Sequence, residues 1–220
     1  MKFEESYQVY LTLAEANGTT DKLSTDRGRF AIKYNITQNK AIEWLIESNA
    51  SDENRYIQSI KIPFRELEKS SGNELYDNFS IPDNFFDFLD LQVLGSNGKC
   101  KNQKFRSREV KGSNVDNLLI DSDSDPSFKY RDTFYTISNN SVQVYKKDFD
   151  VDLVKMSYYR YPKQVELIDP NNPESQFKDE DLEFDDKLIN RIIFLAVSLH
   201  ELSADDPKYQ AFKQETVQKF

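Results

Sequence analysis

The tightest restriction on the fold comes late in the sequence. Lys155-Met156-Ser157-Tyr158-Tyr159-Arg160-Tyr161-Pro162 reads as an aromatic strand that stops at a proline. An acidic spacer follows. From Asp185 to Ser203, apolar residues then recur at steps of three and four: Leu188, Ile192, Leu195, Leu199 and Leu202. A strand has a side-chain period of about two and a helix one of about 3.6, so no single element satisfies both patterns. The chain must change architecture across the spacer.

The same change happens in reverse near residue 60. Residues 2–16 place Phe3, Tyr7, Tyr10, Leu11 and Ala14 on one helical face, and Asn17-Gly18 stops that helix. Ser24-Thr25-Asp26 supplies N-cap candidates for a second helix over 26–48, with Phe30, Tyr34, Ala41, Trp44 and Leu45 on one face. Ser51-Asp52-Glu53 predicts a short third helix through Ile57. From Ile60 the apolar residues alternate instead: Ile60, Ile62 and Phe64, then Leu89, Leu91 and Val93, then Thr133, Tyr135 and Ile137. Strands are predicted near 103–110, 128–137, 141–146 and 150–161, with Ser138-Asn139-Asn140 as a tight turn.

These patterns predict an α+β fold: an N-terminal helical bundle, an antiparallel β-rich middle and C-terminal helices. The expected segments are a helical lobe over 1–60, a β-rich lobe over 61–168 and an acidic linker over 169–183. C-terminal helices over 184–220 then pack on the helical lobe, dock to a partner, or do both. Asp185 is the predicted cap of the apolar helix, and Asp205-Asp206-Pro207 the start of a thin last one.

Composition narrows the function. The 220 residues carry 16 Phe and 12 Tyr, enough aromatic area to hold a core while hydrophobic residues make up only 38%. The net charge of -9 argues against nucleic acid as the main partner, because phosphate neutralisation needs a basic stripe. The one concentrated basic run, Lys99–Lys111, reads as a solvated hairpin. A single Cys100 excludes an intramolecular disulfide and a cysteine-cluster metal site. No leader-like run opens the sequence and no apolar stretch suits a membrane span, so cytoplasmic synthesis is expected.

No motif marks catalysis. His200, the only histidine, falls inside the apolar helix, where a packing role outweighs a chemical one. With 38 acidic residues, chance carboxylate pairs are inevitable and none stands out. Asp121, Asp123 and Asp125 have the spacing that opens a calcium-binding loop, but Pro126 stands where that loop needs glycine. They are weak metal candidates and better read as a solvated turn. No cofactor is expected. The remaining signal is aromatic: Tyr158, Tyr159 and Tyr161 at the strand end are interface candidates. Their exposure would also suit stacking on sugars, as a carbohydrate- or host-binding module requires.

Three parts of the chain carry a family resemblance. They are Leu23-Ser24-Thr25-Asp26-Arg27 with Tyr34-Asn35-Ile36-Thr37-Gln38-Asn39-Lys40 and Trp44; Ile81-Pro82-Asp83-Asn84-Phe85 with Tyr145 and Tyr158–Lys163; and the acidic stretch to Phe184-Asp185-Asp186. In these the chain resembles the head–tail connector (adaptor or ring) proteins of tailed bacteriophages, most closely those of crAss-like phages. The β-rich stretch of about 60–165 departs from the smallest adaptors. The resemblance implies a non-enzymatic virion protein of the neck. It would form a homo-oligomeric ring, dodecameric in the family, that touches the portal protein and the next tail component. DNA would pass through the channel without specific binding, and no membrane is involved. It also makes Phe3 and Tyr7 on the first helix interface candidates. Tyr209, Phe212, Val217 and Phe220 of the tail join them, because in such rings a C-terminal segment reaches onto the portal or a neighbour.

Overall fold

The structure is a computed structural model that describes residues 1–16, 27–48, 54–98, 100–138, 140–166 and 180–200. The chain is α+β and divides into two compact units. One combines Met1–Ser59 with the chain from Pro162 onward; the other is the continuous segment Ile60–Tyr161.

The first unit is helical: α1 (Phe3–Ala16), α2 (Arg27–Glu47) and α4 (Asp186–His200), with α4 packed on both others. The helical spacing works as read. Phe3, Tyr10 and Ala14 of α1, Phe30, Tyr34, Ala41 and Leu45 of α2, and Leu188, Ile192 and Ala196 of α4 are all buried. Phe30 is the aromatic hub, with ring centroids 5.1 Å from Phe3 and 4.7 Å from Tyr10. Asp185 does cap α4, its Oδ1 accepting from the Leu188 N–H at 2.8 Å. The extended chain after Pro162 is fastened to α2 by amide side chains. Asn35 donates to the Val165 carbonyl at 3.1 Å and accepts from its N–H at 3.0 Å, and Gln38 donates to the Lys163 carbonyl at 3.1 Å.

A 3-10 helix, Asn54–Ile60, replaces the predicted α-helix before the sheet. The second unit then contributes β1 (Lys61–Glu66), β2 (Lys69–Gly72), β3 (Tyr76–Ser80), β4 (Phe85–Asn97), β5 (Cys100–Glu109), β6 (Asp132–Ser138), β7 (Ser141–Tyr145) and β8 (Asp150–Arg160). Their order is β1-β8-β4-β5-β6-β7-β3-β2. The chain enters and leaves this sheet through paired strands, Lys61 lying opposite Tyr159.

The predicted all-antiparallel middle needs correction: β5 and β6 run parallel, Arg106 opposite Asp132 to Glu109 opposite Tyr135. Parallel neighbours need a long crossover. Residues 110–131 provide it, with the short helix α3 (Val115–Ile120) and the Asp121–Asp125 turn. Alternation reports that a strand has two faces but not which way its neighbour runs.

Strand order also dictates the shape of this sheet. β1 and β2 stand at its opposite ends, yet only Leu67 and Glu68 separate them in sequence. Flat, eight strands would span roughly 34 Å, whereas two linking residues reach at most about 10 Å. The sheet therefore curls until β1 and β2 form one bent ribbon. Hydrogen bonding continues through the bend: the Leu67 N–H donates to Val154 of β8, and the Glu68 carbonyl accepts from Ser80 of β3, both at 2.9 Å. Inside lies the core, with Leu67, Phe79, Val93, Phe105, Val144, Phe149, Val154, Met156 and Tyr158. A smaller cluster, Val115 with Phe134 and Tyr145, seats the crossover on β6 and β7.

Bulges interrupt the alternation read from the sequence. The register of β1 on β8 shifts between Ile62 and Arg65, leaving Phe64 exposed at φ 44° with its N–H on Ser157 Oγ. The register of β4 on β8 shifts between Phe85 and Asp87 and again between Phe88 and Asp90, so Phe86 and Leu89 are the extra residues. Each bulge turns an apolar side chain away from its alternating row.

Candidate interaction surfaces

The predicted interface tyrosines separate on burial. Tyr158 is fully buried; its hydroxyl donates to Asn84 Oδ1 at 2.9 Å and accepts from Arg65 Nη1 at 3.2 Å. Tyr159 is also buried, and that burial raises its phenol pKa. Only Tyr161 is open, 47% exposed, with its ring edge-on to Phe86 at 4.9 Å. Tyr158 and Tyr159 are therefore corrected from surface to interior. Alternation put them on opposite faces of β8, but both faces are covered.

Phe3 is likewise interior, stacked on Phe30. Tyr7 is half-buried beneath the Arg27 guanidinium, which lies 5.6 Å from its ring and pairs with Glu4 at 2.8 Å. Tyr209, Phe212, Val217 and Phe220 lie outside the described residues, as does the side chain of His200.

The three aspartates form a turn in which the carboxylates of Asp121 and Asp125 are already engaged. Asp121 Oδ1 accepts from the Asp123 N–H at 3.1 Å. The hydroxyl of Ser124, and then that N–H, hold its carboxyl below the usual carboxylate range. Asp125 pairs with Lys147. Among the described residues, no group of three or more His, Cys, Asp or Glu side chains is placed to hold a metal ion.

This turn instead belongs to a well-tied projection. Arg108 Nη2 donates to the Ser124 carbonyl at 2.9 Å, and the Phe128 N–H donates to Asp148 Oδ1 at 2.7 Å. Ser127 and Asp132 exchange backbone hydrogen bonds at 3.0 and 3.1 Å. On this framework Ile120 is 84% and Tyr130 74% exposed. The exposed charges along the crossover are mixed: Asp116, Asp121 and Asp123 with Lys111, Lys129 and Arg131.

The helical unit also exposes apolar side chains. Ile32 and Ile36 of α2 are 54% and 50% exposed, one turn apart, on a face that also exposes Arg29, Lys40, Glu43 and Glu47. Residues at these steps share one face, turned away from Phe30 and Tyr34. Sequence reasoning missed both surfaces. The signals were present: Ile32 and Ile36 fall off the apolar face assigned to α2, and Leu118-Leu119-Ile120 cannot all face inward from a helix of six residues.

One polar cluster lies at an end of the curled sheet. Asp77 is 1% exposed and accepts from Lys146 Nζ at 3.0 and 3.1 Å and from Lys69 Nζ at 2.9 Å. Gly72 makes room for it: a Cβ there would stand 2.1 Å from Asp77 Oδ1. An open cleft of about 740 Å³ borders this group. Three N–H···O contacts occupy the carboxylate, so its chemistry is structural: it pins β2 and the end of β7 to β3.

The sequence matches no model of a known protein family, and no curated protein matches it.

Proposed function

We propose that this chain is a non-enzymatic structural subunit of a phage neck, forming a ring between portal and tail and extending the DNA channel. The observation that carries this reading is the rigid display of large apolar side chains. Ile120 and Tyr130 are both exposed on a crossover whose backbone is tied at both sides, and burying such large apolar side chains against another subunit would remove them from water. The net charge of -9 suits a wall past which DNA slides without adhering. The portal and the next tail component are the proposed neighbours, with the segment 207–220 as the proposed portal-docking arm.

The test is direct imaging of the purified chain alone and mixed with a portal protein from the same genome. Rings, alone or on portal, are expected. A monomer that stays monomeric and binds no portal overturns the reading. Deleting 207–220 is expected to abolish portal docking with the circular dichroism spectrum of the sheet retained; normal docking by the truncated chain removes the arm from the proposal.

A second reading rests on one observation, the open Tyr161–Phe86 pair beside Asn84 and Arg160. Exposed rings flanked by polar groups stack on sugars, as a carbohydrate-binding module of a virion would require. Glycan-array binding that disappears in Tyr161→Ala would favour it over the ring.

A further inference from the structure

We infer that Asn97 is a site of spontaneous covalent modification. The Gly98 backbone nitrogen displaces the Asn97 side-chain amide and leaves aspartate and isoaspartate at the tip of the β4–β5 hairpin. This goes beyond the ring reading and does not depend on it. Asn97-Gly98 is the one Asn-Gly pair among the described residues, and three features of its placement favour the reaction there.

The first is access. Asn97 and Gly98 are both exposed, and apart from its chain neighbours no heavy atom lies within 4 Å of where a Gly98 Cβ would stand. The second is the side chain. Among the described residues no hydrogen bond holds the Asn97 amide. The other three asparagines of the stretch 70–99 are held. Asn73 Oδ1 accepts from the Leu75 and Tyr76 N–H groups, Asn78 Nδ2 donates to Ser71, and Asn84 Oδ1 accepts from Tyr158. The third is the nitrogen. The ladder closes with Asn97 opposite Cys100, so the Gly98 N–H lies beyond it. Gly98, at φ 47°, has no side chain to shield that nitrogen, whereas Glu74, Phe79 and Phe85 follow the other three asparagines.

The atoms balance with water alone. Hydroxide removes the Gly98 amide proton, and the nitrogen attacks Asn97 Cγ. The N–Cγ bond forms and the Cγ–Nδ2 bond breaks. Nδ2 leaves as ammonia with a proton from water, which regenerates the hydroxide. The cyclic imide then takes up water at either carbonyl. Opening at Cγ gives aspartate; opening at the main-chain carbonyl gives isoaspartate, whose backbone runs through Cβ and Cγ. Nothing is oxidised or reduced. Each product adds a negative charge to the basic run Lys99–Lys111. Isoaspartate also lengthens the main chain at the pair that closes the hairpin, where register is set by the turn. The disturbance stops below the tip. Asp152 accepts from Ser96 Oγ at 2.8 Å and from the Asn102 N–H at 3.4 Å, and Phe105 stacks on Phe149 at 4.2 Å.

The experiment incubates the full folded chain from mildly acidic to mildly alkaline pH and follows the tryptic peptide 70–99 by mass spectrometry. That peptide carries Asn73, Asn78, Asn84 and Asn97, so fragment spectra place any conversion against three internal controls. Asn97 is expected to lose its amide while the other three keep theirs, at a rate that rises with hydroxide. The converted peptide is expected to separate into two products of equal mass. Asn97→Gln, which would need a larger ring, is expected to abolish the conversion, and Gly98→Ala to slow it. Circular dichroism checks that both variants fold. Amide exchange of the converted chain is expected to quicken over 96–102 and to stay unchanged at Phe105. Conversion at Asn97 no faster than at the other three overturns the inference. So does conversion that occurs only in urea, because the folded hairpin would then shield the site.

Discussion

The two units are closed by opposite means. The sheet is one continuous segment whose first and last strands join through Leu67 and Glu68, so closure is built into neighbouring residues. The helical unit gathers its elements from both ends of the sequence, α4 packing on α1 and α2 across the whole intervening sheet segment. They also treat buried polarity differently. In the sheet Asp77 is buried with two lysines on its oxygens. In the helical unit the Tyr34 hydroxyl is buried without a hydrogen-bond partner among the described residues, and that burial pushes its pKa well up, with Glu183 adding to it. Closure by a local ribbon tolerates a buried ion group because strand pairing fixes its geometry. Closure by distant helices relies on aromatic packing, which asks less of direction.

Four single substitutions, one of them with a compensating second change, test this contrast. Asp77→Ala should have the largest effect, about 3–5 kcal/mol, because it leaves the mostly buried Lys146 ammonium without its partner, whereas the half-exposed Lys69 can turn to water. Lys146→Met in the same chain should recover part of it. Amide exchange should locate the damage in β2, β3 and β7; an unchanged exchange pattern there would sink the pinning role. Phe30→Ala should cost roughly 3–5 kcal/mol by opening a cavity at the aromatic hub. Trp44, the single tryptophan, lies on α2, so its fluorescence reports this loss in denaturant titration. A midpoint within error of wild type would mean that the hub is redundant.

Tyr34→Phe should stabilise by up to about 1–2 kcal/mol, since it removes an unsatisfied buried hydroxyl. Destabilisation instead would show that the hydroxyl has a partner. The smallest effect belongs to Asp87, whose carboxyl pKa is raised by burial and only partly lowered again by the Phe88 N–H. A carboxyl raised in the folded state contributes stability below its unfolded pKa, about 3.9, and loses it as pH rises through the folded value. Asp87→Asn should therefore raise Tm modestly at pH 7, and the gain should vanish near pH 3. An equal gain at both values would exclude a protonation origin.

Helices α1, α2 and α4 and most strand positions were legible because their signals are local. Phe3, Tyr10 and Ala14 repeat at helical steps, and the Asp185 cap lies next to the helix it starts. What stayed hidden depends on partners distant in sequence. Phe64 and Leu89 continue an alternating row until a register shift against β8 turns them out. The parallel run of β6 beside β5 leaves no mark on either strand. Nothing in the local sequence marks Asp77 as buried; Lys69, Lys146 and the missing side chain of Gly72 enclose it only once the sheet forms. The interface tyrosines fall in the same class. Alternation assigned Tyr158 and Tyr159 to faces, but which faces are covered is a tertiary fact.

The pairing of Lys61 with Tyr159 has a consequence for how such a chain is put together. Residues opposed in an antiparallel pair have Cα atoms roughly 5 Å apart, so the sheet hangs from its host on two adjacent threads. It is a cassette with its inlet and outlet side by side. A gene that lost the segment 61–160 would leave ends that one or two residues could rejoin. A gene that acquired such a cassette would lengthen a surface loop without moving the helices that carry it.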